Sequence, residues 1–144
     1  VIGFYLHDGQ GKGRSAHITH RGELAVAPIE YSEFYNVQMI INNTAYNIVK
    51  PKAGYRFVIT VIDIYGNNGI GANDSTVVIY EATSTTSTTV EKTIYTREVP
   101  ARGSVTLSGL QVIIRPGYFL NAKMDDNNVY VNVAGYYVID GEKA

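Results

Sequence analysis

The stretch Asn128-Val129-Tyr130-Val131-Asn132-Val133-Ala134-Gly135-Tyr136-Tyr137-Val138 decides the fold class. Side chains alternate across a β-strand, so Val129, Val131 and Val133 share one face, and Tyr130, Asn132, Ala134 and Tyr136 share the other. The valine face is dry. The second face carries tyrosine and asparagine where a freely solvated strand would carry lysine and glutamate. That composition suits contact with another protein or a ligand.

Similar segments recur upstream. Tyr55 to Tyr65 (YRFVITVIDIY) reads as apolar on both faces, which predicts a central strand covered on both sides. Ala45 to Val49, Ser75 to Ala82, Val90 to Val99, Ser104 to Leu107, Gln111 to Ile114 and Tyr118 to Met124 read as further strands. Arg115-Pro116-Gly117 is a tight turn, and Asp125-Asp126-Asn127-Asn128 turns the chain into the final strand. The tract Thr83-Ser84-Thr85-Thr86-Ser87-Thr88-Thr89 has no apolar anchor and is expected to be an exposed hairpin tip. Tyr31 to Met39 is the nearest approach to a helix, though Tyr, Val and Asn leave it ambiguous. About eight to ten short strands with frequent turns predict an all-β, jelly-roll-like β-sandwich. The pattern does not reveal how the strands connect.

Residues 1 to 30 differ in character. They hold all three histidines (His7, His17, His20) and the glycine-rich run Asp8-Gly9-Gln10-Gly11-Lys12-Gly13-Arg14. Glycine at that density favours a draped segment over a regular element. Ala16 to Thr19 and Glu23 to Val26 look β-like, with Arg21-Gly22 as a turn between them. The expected organisation is an extended N-terminal arm over 1–30 and a β-sandwich over 31–144.

Composition narrows the function. A chain of 144 residues with 45% hydrophobic residues can bury a single core. Only 17% of residues are charged and the formal net charge is −1, so no strong field gathers nucleic acid or an anionic membrane. Low charge suits a protein that lives in an assembly. No apolar run approaches the roughly 20 residues of a membrane helix. Val1 to Leu6 is too short for a signal-peptide core. With no cysteine there are no disulfides or thiolate sites, which points to folding inside a cell. The 12 tyrosines, against 4 phenylalanines and no tryptophan, fit strand edges and interfaces, or simply strand propensity.

Chemical motifs are weak. Gly9-Gln10-Gly11-Lys12-Gly13-Arg14-Ser15 has the wrong spacing for a phosphate loop, and no helix follows it. His17 and His20 would point to opposite faces of a strand, and a zinc site needs three or four convergent ligands, so no metal is expected. Asp125 to Asn128 and Asn67 to Asp74 lack the ordered spacing of a calcium loop and read as turns. Asn42-Asn43-Thr44 and Asn73-Asp74-Ser75 match a glycosylation triplet that recurs by chance. No catalytic triad or carboxylate pair stands out, so neither an enzyme nor a cofactor is expected. Lys12, Arg14 and Arg21 make too small a basic footprint for nucleic acid.

Two parts of the chain carry a resemblance. The arm pattern Asp8-Gly9-x-Gly11-x-Gly13-x-x-Ala16-x-Ile18, followed by Gly22-x-Leu24-x-Val26, resembles the opening of small virion structural proteins of tailed bacteriophages. The domain from Ala45 to Val138 resembles the β-sandwich head decoration (cement) proteins of such phages, above all in Thr76 to Ala82 and Val131 to Val138. The resemblance implies a non-enzymatic capsid component made in the host cytoplasm and carried on the virion surface. It would act as a homotrimer that binds the major capsid protein, with neither nucleic acid nor membrane as partner. On that reading Asp8, Gly9, Gly11, Lys12, Gly13, Arg14 and Arg21 of the arm meet the capsid. Tyr118, Tyr130, Asn132, Tyr136 and Tyr137 meet other copies. The alternatives are a carbohydrate- or receptor-binding sandwich, or a neck, tail or fibre subunit.

Overall fold

The computed structural model describes residues 4–7, 13–18, 24–25, 33–66, 73–126 and 128–139. Its backbone divides into two compact units, Val1–Tyr31 and Ser32–Ala144. In the first unit β1 (Phe4–His7), β2 (Gly13–Ile18) and β3 (Leu24–Ala25) form an antiparallel sheet in the order β1-β2-β3. His7 pairs with Gly13 and Ile18 with Leu24. The strand therefore begins within the glycine run, at Gly13, where composition alone suggests a draped segment.

The second unit contains β4 (Glu33–Met39), β5 (Tyr46–Val49), β6 (Tyr55–Gly66), β7 (Ser75–Ala82), β8 (Lys92–Val99), β9 (Ser104–Leu107), β10 (Val112–Ile113), β11 (Phe119–Met124) and β12 (Val129–Ile139). All pairings are antiparallel. The first strand pairs with the last (β4 with β12), the second with the next to last (β5 with β11), β6 with both β9 and β10, and β7 with β8. β9 and β10 lie along the same edge of β6 and act as one interrupted strand. This nested ribbon, rolled into the sheets β9/β10-β6-β12-β4 and β5-β11-β7-β8, is an eight-stranded jelly roll. The all-β sandwich expected from the alternation is what forms.

The core lies between the sheets. Val129, Val131 and Val133 of β12 are fully buried, as the alternation requires. Ile59, Ile62 and Ile64 of β6 join them from the same sheet, against Val77, Ile79, Leu120, Ala122 and Met124 from the other. Burying a side chain of this size contributes about 1.5–3 kcal/mol, so this layer dominates the stability of the fold.

β6 departs from the sequence reading in an instructive way. Ala134 pairs with Val61 but Gly135 pairs with Ile59, so Thr60 is the extra residue of a β-bulge. The inward set changes parity there, from Phe57 and Ile59 to Ile62 and Ile64. One buried face split between odd and even positions makes the segment look apolar on both faces. The outer face of β6 is not dry along its length. It carries Asp63 and exposed Tyr65, with Val58 as its buried residue.

Two other segments resolve what the local pattern left open. Glu33–Met39 is a strand, not a helix, with alternating burial and each residue opposite one of β12. Pairing with β12 overrides its ambiguous local preference. The Ser/Thr tract joins the paired strands β7 and β8 and is exposed at Thr83, Thr86, Thr88 and Thr89, as expected of a hairpin tip, but it is anchored to the sheet. Asn121, fully buried on β11, donates to the carbonyls of Ser84 (2.9 Å) and Ser87 (3.2 Å). The Tyr80 hydroxyl donates to Ser87 O at 2.8 Å, and Lys123 Nζ to Thr88 O at 3.1 Å. The tract folds over the outer side of β7 and β11, held by polar anchors that an apolar pattern cannot reveal.

Candidate interaction face

The outer face of the sheet β9/β10-β6-β12-β4 is built in rows by its register. One row runs Gln38, Tyr130, Tyr65, Ser104. The next runs Asn36, Asn132, Asp63, Thr106, and the third Phe34, Ala134, Val61. Tyr136, Val58 and Ile113 follow. Phe34 is 80% exposed, Ile113 48%, Tyr65 44% and Tyr130 39%. Among the described residues of these rows Asp63 is the one charged side chain.

The second row is a continuous hydrogen-bonded ladder. Thr106 Oγ1 donates to Asp63 Oδ1 at 2.6 Å, and Asn36 Nδ2 donates to Asn132 Oδ1. Partial desolvation pulls the Asp63 carboxyl up. Hydrogen bonds from Thr106, Tyr65 and Asn132 together outweigh it and hold the group below its ordinary value. The same contact raises the Tyr65 phenol, because ionising it would break a bond to a carboxylate and set two negative charges together. The ladder ties four strands across the face and holds the Tyr65 hydroxyl through Asp63.

The ladder was illegible in sequence. Asn36, Asp63 and Thr106 stand on three separate strands, and only the register aligns them with Asn132. Of the residues read from sequence, Tyr130, Asn132 and Tyr136 share this face. Tyr137 turns to the opposite side of β12, where its ring meets Phe57 at 5.2 Å edge-on and its hydroxyl lies 3.1 Å from that of Tyr35. Burial, aided by that hydroxyl contact, pushes the Tyr35 phenol well above its usual range. Tyr118 sits on the turn before β11, with the Arg115 guanidinium 4.0 Å over its ring. The five tyrosine-strand candidates therefore do not form one patch.

Tyr118 and Tyr137 instead line a small cleft with Lys52, Tyr55, Phe57 and Arg115. Its interior of about 10 Å³ holds roughly one water. Lys52 Nζ lies 4.2 Å over the Tyr55 ring and 5.1 Å over that of Tyr137.

No family model matches the chain, and no curated protein matches it. One similar solved structure is a chain of the acidic stable capsid structure of Helicobacter pylori bacteriophage KHP30. The two are 17% identical with a TM-score of 0.49, over 74% of this chain and 87% of that one. The jelly-roll assignment rests on this chain's own strand pairings.

Of the arm residues singled out, Gly13 and Arg14 lie on β2, opposite His7 and Leu6. Asp8, Gly9, Gly11, Lys12 and Arg21 lie outside the described residues, as does His20. Among the described residues no three His, Asp or Glu side chains gather as a metal site. The turn carboxylates serve the backbone. Asp125 Oδ1 accepts from Thr76 N at 2.7 Å, and Asp74 Oδ1 from Ala101 N at 3.1 Å.

Proposed function

We propose that this chain is a non-enzymatic virion structural protein, a decoration protein that binds the outside of a phage major capsid shell and stabilises it. The observation that carries the reading is the outer face of β9/β10-β6-β12-β4. Exposed Phe34, Tyr65, Tyr130 and Ile113 surround a polar row already satisfied within itself. Aromatic enrichment and depletion of charge mark the core of a protein interface. The jelly roll is a fold used by viral capsid domains, which is an argument by analogy. A protein that binds only the assembled shell stabilises it by mass action, and copies joined as a homotrimer would add avidity. The N-terminal residues Asp8 to Arg14 and Arg21 would reach the capsid, and the tyrosine face would meet a neighbouring subunit. Such a protein is made in the host cytoplasm and ends on the virion surface.

The test is co-sedimentation with shells of the virus that encodes the chain, with shell melting followed in parallel. Binding that raises the melting temperature, and is lost in Tyr65→Lys/Tyr130→Lys, supports the reading. Absence of binding to mature and expanded shells overturns it.

One observation favours a second reading. Tyr65 and Tyr130 are direct cross-strand neighbours beside the Asp63–Asn132 pair, which resembles a stacking platform with hydroxyl partners for a sugar. The ladder's groups are already bonded to one another, so a sugar would have to compete for them. Selective hits on a glycan array would favour this reading over the capsid one.

A further inference from the structure

An exposed sheet edge invites pairing with another chain, and natural proteins guard their edges. Three of the four edges of the two sandwich sheets carry such guards. β5 is four residues long, slips register against β11 and runs into Lys50-Pro51-Lys52. β8 carries Lys92, Arg97 and Glu98 and has a register shift against β7. The β9/β10 edge is broken into pieces of four and two residues.

β4 is unguarded. It runs seven residues in unbroken register with β12, and among the described residues no strand pairs with its other side. It contains no lysine, arginine or proline, and its one charge, Glu33, stands at its first residue. It also presents large apolar side chains, Phe34 at 80% exposure and Ile40, just past its end, at 58%.

We propose that β4 pairs antiparallel with β4 of a second copy across a two-fold axis at Val37, joining the two sheets into one. Such pairing keeps outward residues opposite outward residues only when the summed positions are even. Centring on Val37 sets Phe34 opposite Ile40, Asn36 opposite Gln38 and Tyr35 opposite Met39. Each exposed apolar group then covers its counterpart, and the two amides meet. Moving the centre to Asn36 or Gln38 leaves Phe34 opposite Gln38 or Asn42. The strand is thus self-complementary in one register, which is what an isologous contact requires. This contact joins copies in pairs whether or not a three-fold axis also relates them, and it does not depend on the virion reading.

The chain has no cysteine, so cross-linking reads the register directly. Directly opposed Cα atoms in an antiparallel pair lie about 4.5–5.5 Å apart, within disulfide reach. Val37→Cys, oxidised gently, is expected to run as a dimer on a non-reducing gel. Asn36→Cys, which would face Gln38, should cross-link several-fold less. Phe34→Lys changes an exposed side chain and leaves the core intact. It should weaken self-association at least tenfold in sedimentation. A folded Val37→Cys protein that stays uncross-linked, or a Phe34→Lys protein that associates like the parent, overturns the proposal.

Discussion

The Glu81 carboxylate, fully buried at the end of β7, accepts the backbone N–H of Arg115 at 3.0 Å and its Nε–H at 2.5 Å. The turn Arg115-Pro116-Gly117 is thereby locked onto the sandwich, with Gly117 at φ +80° completing it. Arg115 spans from this buried anion to the Tyr118 ring, so the lock also shapes the small cleft. Hydrogen bonds to a charged group contribute about 1.5–3 kcal/mol each. Glu81→Ala is expected to lower the unfolding free energy by that order in urea denaturation. Arg115→Ala should cost more than Glu81→Gln, because it leaves a buried carboxylate without its cation.

Gly135 is required by close approach. A methyl group there would lie 2.1 Å from the Val58 carbonyl oxygen and 2.7 Å from Cζ of Phe57. Gly135→Ala must displace the bulge that sets the parity of β6. A cost of about 1–3 kcal/mol or more is expected from overpacking, read as a lowered Tm. Gly54, at φ +77° with nothing near its Cβ position, is the control. Its replacement by alanine carries only the backbone penalty of about 1–2 kcal/mol.

Asp63 gives the face an acid limb. Its folded-state pKa is lowered, so its stabilising effect is fully present above the unfolded value of 3.8 and is lost as pH falls from there through the lower folded value. Thermal melts from neutral pH downward should show a decline in that window. Asp63→Asn should flatten it. A melt profile that is unchanged in the variant would show that the ladder does not depend on the carboxylate charge.

Asn121 pins the Ser/Thr tract. Its side chain also accepts from Asn47 Nδ2 at 3.0 Å, so one buried amide joins β5, β11 and the loop. Asn121→Ala should cost about 1–3 kcal/mol through unsatisfied partners. Hydrogen exchange of residues 83–91 should rise by more than that of β7 itself.

Alternation in Val129 to Val138 was sufficient to predict an all-β sandwich and the buried valines, because side-chain direction on a strand follows from backbone geometry alone. The turn at Arg115-Pro116-Gly117 was legible for a similar reason, since proline and glycine restrict the backbone locally. What depended on strand partners was not legible. The Thr60 bulge, the ladder from Asn36 to Thr106 and the buried anchor Asn121 each join residues far apart in sequence. Tyr136 and Tyr137 are adjacent in the chain, yet one faces outward and the other toward the core. Local pattern alone set which residues could be strand and which face could be dry. Register decided which polar groups meet and which apolar ones stay exposed, because hydrogen bonds between strands are set only when the whole ribbon rolls up.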